Sequence, residues 1–278
     1  MRGAVMDDRN VIWRGPRVHT WAEFSRVVKR PGRRLLARID SFSRPILIAG
    51  CQRSGTTAVA RLVSSADGMG DFRFGDDDEL DAALILAGQV ETAARGRLAF
   101  QTTYLNDRFR EYFEHDDFRL VWVVREPLSV VRSMLHHWRR AALNRLYVAC
   151  GAPAVPRAGN MRARTPRSLF PPSRLEKACA SYVGKVGQTF ELVERLAPER
   201  MIVVDYDELV LHKEALLPAV FEFLDLPYRP ELGGLLHARS VNKGRLLPAA
   251  QAAYVEETCR NVYERAREAR LRAREAAA

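Results

Sequence analysis

Long apolar runs are missing from this 278-residue chain. The best of them, such as LVWVV at 120–124, falls far short of the ~20 residues that cross a bilayer, which excludes an ordinary membrane-spanning helix. The N-terminus, MRGAVMDDRNVIWRGPRV, has no apolar stretch and carries early acids. No signal peptide is expected there, and a cytoplasmic setting is. Cysteine is scarce. Cys51, Cys150, Cys179 and Cys259 stand apart, with no C-x-x-C pair and no metal-ligand spacing, so a disulfide framework and a structural metal site are both excluded. Helix-turn-helix, zinc-finger and RNA-binding aromatic signatures are absent too, so no specific nucleic-acid partner is expected. What the chain has in surplus is positive charge: 44 Lys and Arg against 34 Asp and Glu, a formal net charge of +10, most of it arginine. That balance fits an anionic ligand, an acidic surface or polynucleotide.

Short apolar strands alternate with longer amphipathic helices. Residues 45–49, 118–124 and 201–206 read as buried strands, with a fourth at 97–100. Helical spacing runs over 20–28, 33–42, 57–65, 127–148, 175–197, 215–226 and 251–278, and a further helix starts near Asp78. The pattern predicts an α/β fold of three layers, a parallel central sheet flanked by helices, with a P-loop-like first unit. Residues 1–43 read as a basic N-terminal extension, 44–250 as the main domain and 251–278 as a C-terminal helix. Within the domain, 151–174 is rich in proline and arginine and reads as a mobile loop.

The first strand ends in GCQRSGTT, residues 50–57. A glycine loop between a strand and a helix N-terminus turns backbone N–H groups toward an anion, and the helix dipole adds to the attraction. Ser54, Thr56 and Thr57 contribute hydroxyls and Arg53 a charged fork. The ATP-binding pattern G-x-x-x-x-G-K-[ST] would place lysine at 56, where this chain has threonine. No aspartate closes the second strand as a magnesium ligand; Asp205 is the nearest substitute. A second anion grip follows in REPLSVVRS, where Arg125 leaves a strand and Ser133 lies eight residues on in a helix.

Together the two motifs resemble those of the sulfotransferases that use 3′-phosphoadenosine 5′-phosphosulfate (PAPS). GCQRSGTT is similar to that family's 5′-phosphosulfate loop and REPLSVVRS to its 3′-phosphate motif. MIVVDYDELVLHKEALLPAVFEFLDLP (201–227) and VNKGR (241–245) resemble later family segments. The likeness spans about 45–246. It implies sulfuryl transfer from PAPS, leaving adenosine 3′,5′-bisphosphate (PAP), with no metal. The acceptor would be a small molecule, carbohydrate or natural product. By the same resemblance Arg53 would meet the phosphosulfate, and Ser54, Gly55, Thr56 and Thr57 would cradle the 5′-phosphate. Arg125 and Ser133 would hold the 3′-phosphate, with Lys243, Gly244 and Arg245 as further nucleotide contacts.

The acceptor needs a general base. Where small-molecule members of the family carry a lysine and a histidine, this chain has QTTY (101–104). Other branches use a carboxylate downstream of the loop, and FGDDDELD (74–81) falls at that distance. Asp76 and Asp77 match best and Glu79 stands close. Five carboxylates within 76–81 repel one another and can raise a pKa. Two other readings remain open at this point: a P-loop kinase or NTPase with a degenerate loop, and a non-catalytic anion- or nucleic-acid-binding protein.

Overall fold

The structure, a computed structural model, describes residues 11–154, 171–238 and 241–275. Strand β1 (Val11–Trp13) leads to helix α1 (Trp21–Val27). Strand β2 (Ile46–Gly50), the glycine loop and helix α2 (Thr56–Ser64) follow. Helix α3 (Asp78–Leu86) precedes β3 (Val90–Thr92) and β4 (Ala99–Gln101). Strand β5 (Arg119–Val124) runs into α4 (Pro127–His137), then α5 (Arg140–Leu146), a π-helical turn Tyr147–Gly151 and α6 (Ala152–Ala154). After α7 (Arg174–Arg195) come β6 (Met201–Asp205), α8 (Tyr206–Leu211), α9 (Lys213–Phe223) and the long α10 (Ala249–Glu275).

Strands β4, β2, β5 and β6 form one parallel sheet in that order. Alternate residues face opposite sides, as the period of a strand requires. Leu47, Ala49, Leu120, Trp122 and Val124 join the core built with α1, α3, α4, α7 and α10. Ile46, Ile48, Val121 and Val123 join the core built with α2, α8 and α9. The three-layer α/β expectation therefore holds. Being covered on both faces is also why these strands read as continuous apolar runs.

Three expectations are corrected. Residues 11–42 are no extension. Strand β1 pairs antiparallel with β3, and Val18, Phe24, Val28, Leu35, Leu36 and Ile39 lie in the main core. The segment 33–42 forms no regular helix, only a short turn at Ile39–Ser41, because the amides of Leu35 and Leu36 donate instead to the Glu111 carboxylate at 2.6 and 2.9 Å. The single helix read over 127–148 breaks at Trp138, whose backbone is extended. Arg174 Nη2 donates to the carbonyls of Met134 and Trp138, taking the place of amides that a continuing helix would supply. The apolar spacing runs on across the break because α4 and α5 both pack on α7. The helix read over 251–278 is seated on the domain through Val255, Cys259, Val262, Tyr263 and Ala266. Most of the proposed mobile loop, 155–170, lies outside the described residues.

Candidate active site

Parallel strands end together, and their C-terminal edge collects the residues singled out by sequence. Gly50 pairs with Val123, Val124 with Asp205, and Ile48 with Gln101. The loop after β2 is tightly enclosed. Gly50 has φ 137°, and a Cβ there would lie 2.1 Å from the Val123 carbonyl oxygen. Gly55, φ 93°, caps α2, and a Cβ there would strike the Tyr206 ring at 2.3 Å. Only glycine fits either position. Between them Arg53 is held at φ 74°, a left-handed conformation that a non-glycine residue adopts at a cost and that concentrates at functional sites.

The first helical amide bond of α2 runs from Val59 N to Gly55 O at 3.1 Å. The amides of Thr56, Thr57 and Ala58 therefore stand before the helical ladder, at the positive end of the helix dipole. Ser54 is fully buried, and among the described residues its Oγ makes no hydrogen bond of ordinary geometry. A buried hydroxyl without such a bond calls for a ligand or water. Thr56 is buried and Thr57 exposed.

Arg53 Nε donates to Ser133 Oγ at 2.9 Å, so the two predicted anion grips meet. Partial burial and then the Arg125 cation pull Arg53 below the ordinary arginine range. Arg125 is buried at the end of β5, its Nε 3.1 Å and its Nη2 3.0 Å from Asp207 Oδ1. Its guanidinium lies 4.8 Å from the centre of the Tyr206 ring. Helix α4 starts beside it, with Pro127 in the first turn and the Glu126 carboxylate accepting from the amides of Leu128 and Ser129. The late basic turn docks on that helix start. Gly244 is packed against Leu128, and its amide donates to Ser129 Oγ at 3.3 Å. Gly244 is thus spent on packing, while Lys243 and Arg245 are exposed.

The acidic segment separates into different jobs. Asp77 caps α3: it accepts from the amides of Glu79 and Leu80 at 3.1 Å and from Trp21 Nε1 at 2.8 Å. Asp81 Oδ2 accepts from the amides of Phe74 and Gly75, both at 2.8 Å. Asp76 is exposed. Glu79 alone turns to the strand edge, where it accepts from Thr103 Oγ1 and from Gln101 Nε2, the latter at 2.9 Å. Burial pushes its carboxyl up to about 7, opposed by the Thr103 hydrogen bond and assisted by the charge of Asp77. The same Gln101 amide nitrogen lies 3.3 Å from Thr56 Oγ1 of the loop. Of the three expected carboxylates, Asp77 is held as a helix cap, Asp76 is exposed, and Glu79 meets the strand edge. Gln101 and Thr103 were passed over because QTTY lacks lysine and histidine. Their signal was position, at the end of a strand beside the loop strand.

Asp205, the possible magnesium ligand, is fully engaged. Its Oδ1 accepts from the Glu208 amide at 3.1 Å, and its Oδ2 accepts from Tyr263 Oη at 2.7 Å with Arg267 Nε 3.5 Å away. That engagement, with threonine at 56, removes the support for a kinase or NTPase.

Strand, glycine loop and helix, with an arginine at the end of the adjacent strand, define a P-loop-like α/β protein. Residues 43–270 match the family described as the sulfotransferase domain, and the chain belongs to that family. It is a transferase, a sulfotransferase. Among solved structures it is similar to a mouse sulfotransferase complexed with PAP: 14% identity, TM-score 0.49, covering 88% of this chain and 94% of that one. It is also similar to a sulfotransferase domain from the curacin biosynthetic pathway, at 16% identity and TM-score 0.47, covering 76% and 82%. A Mycobacterium tuberculosis sulfotransferase follows at 10% identity and TM-score 0.46, covering 86% and 80%. No curated protein matches the sequence. Among the described residues no helix is long and apolar enough to cross a membrane.

Proposed function

We propose that the protein transfers a sulfuryl group from PAPS to a hydroxyl, or an amine, of a small-molecule, carbohydrate or natural-product acceptor, in line and without a metal, and that Glu79 is the general base. One observation carries this reading. A single side-chain amide, Gln101, touches both the phosphate-type loop at Thr56 and the Glu79 carboxylate. Donor loop and base are thereby joined at hydrogen-bonding range, which is the arrangement a direct transfer needs.

The residues present fit the donor. Ser54 brings a buried hydroxyl that makes no hydrogen bond of ordinary geometry among the described residues, and Gly55 lets the backbone pass close under Tyr206. Ser54, Gly55, Thr56 and Thr57 would hold the 5′-phosphate end. Arg125, with Ser133, would hold the 3′-phosphate, and Lys243 and Arg245 would add charge from the turn above. PAPS supplies an activated sulfuryl group whose leaving group is a phosphate. Arg53 exchanges Ser133 for the donor and stabilises charge that grows on that phosphate. Glu79, titrating near 7, takes the proton of the acceptor hydroxyl as that oxygen attacks sulfur. Thr103 and Gln101 hold the carboxylate in place meanwhile. The four cysteines are free and buried, which supports a reducing, cytoplasmic setting.

The test is transfer from radiolabelled PAPS to a panel of phenols, sugars and amines in EDTA, with thermal stabilisation by PAP alongside. Labelled product and a clear PAP shift are expected. Stabilisation by Mg-ATP but not by PAP would overturn the donor assignment.

A further inference from the structure

Asp207 lies in the 201–227 segment but was given no part in holding the donor, yet it makes a close ionic contact to Arg125. The sheet register explains the meeting. Val124 pairs with Asp205, so the residues that follow the two strands leave the sheet side by side. Asp207 sits in the first turn of α8 and Arg125 just before α4. Its Oδ1 lies 3.1 Å from Arg125 Nε and 3.0 Å from Nη2, and its Oδ2 lies 3.3 Å from Nε. The two side chains are only 7% and 14% exposed, so the pair is screened little by solvent. Tyr206 covers the guanidinium face, and Tyr182 Oη donates to the Arg125 carbonyl at 2.7 Å. Edge, face and backbone of this arginine are all fixed.

We propose that Asp207 is a positioning residue for the donor: it holds the Arg125 guanidinium in the orientation that receives the 3′-phosphate, and so sets the preference for a 3′-phosphorylated nucleotide over one without that group. This rests on the reading above that Arg125 meets the 3′-phosphate. Two physical arguments favour positioning over plain structural pairing. A buried ion pair contributes little net stability once desolvation is counted, so the pair is weakly justified by folding alone. An arginine, by contrast, loses much rotamer freedom when it binds, and a carboxylate that fixes it beforehand removes that loss from the binding step. Burial raises the Asp207 carboxyl overall, and the Arg125 charge and hydrogen bond oppose that rise.

The experiment is calorimetric titration of the full chain with adenosine 3′,5′-bisphosphate and with adenosine 5′-monophosphate. Asp207→Ala is expected to weaken the bisphosphate about tenfold while the monophosphate stays within about twofold of wild type. Asp207→Asn, whose carbonyl can still accept from Nε, should lose less, and Asp207→Glu should recover part of the preference. In an Arg125→Ala background, Asp207→Ala should have no further effect, because the residue acts through the arginine. An unchanged nucleotide ratio in Asp207→Ala, or equal loss for both nucleotides, overturns the proposal. Should the alanine variant fail to fold, the ratio in Asp207→Asn decides by the same criteria. A wild-type chain with no preference for the bisphosphate overturns the Arg125 reading itself, a different result from a preference that survives the loss of Asp207.

Discussion

The two halves of the site are built in different ways. The proposed donor half is local: residues 50–57 and 125–133 are two continuous stretches, each a strand end running into a helix start. The half around Glu79 is assembled from three distant pieces. Glu79 comes from α3, Gln101 and Thr103 from the end of β4, and Trp21, which fixes the Asp77 cap, from α1. The first half relies on backbone amides and arginines, the second on one carboxylate whose burial tunes it. An anion grip can be written in a short stretch of chain. A tuned base needs surroundings that only the folded protein supplies.

The largest break expected is on the donor side. Arg53→Ala should lower kcat/KM about a thousandfold, most of it in kcat, through the lost stabilisation of leaving-group charge. Steady-state kinetics with PAPS check this, and a variant with unchanged kcat would take Arg53 out of the reaction. Glu79→Gln should cost about a hundredfold or more and, unlike the arginine change, flatten the pH profile. Glu79 titrates near 7 against an ordinary 4.5, so the carboxylate form and the wild-type rate both rise with pH through 7. Stability runs the other way. The contribution of the raised carboxyl is complete below about 4.5 and fades as pH rises through 7, so the Gln variant should also lose that slope in denaturation against pH. A pH profile that survives in Glu79→Gln hands the role of base to another group.

Asp77→Ala sharpens the contrast between neighbouring acids. It should cost about 1 kcal/mol of stability as a lost helix cap, read by chemical denaturation, with kcat within a few-fold of wild type. A collapse of kcat with stability intact would reverse the assignment of Asp77 and Glu79. Smallest of all, Trp21→Phe removes the indole donor to Asp77 and should cost about 0.5–1.5 kcal/mol while barely moving PAP affinity.

The same contrast decides what the sequence could reveal. Strands 46–50, 119–124 and 201–205 were legible because buried parallel strands read as continuous apolar runs, and the loop because its glycines sit at a fixed spacing. The helix break at Trp138 was not, since the bonds that stop the helix come from Arg174, far along the chain. The irregular path near Leu35 depends in the same way on Glu111. The acidic run showed that a carboxylate was available, but not that Asp77 would be held as a cap while Glu79 met Thr103. Asp207 was invisible for a related reason: only the pairing of β5 with β6 brings it to Arg125.

Gly50 carries a consequence for how the protein comes into being. The oxygen that forbids it a side chain belongs to Val123, a residue made much later on the chain. The anion loop emerges early in synthesis but has no fixed course until β5 is laid against β2. Parallel pairing over such a separation must first meet the entropy of closing a long loop, and it ranks among the slower events of folding. The nucleotide should therefore find no partial site on a half-made chain, and a ligand offered during refolding should bind only after the sheet is complete.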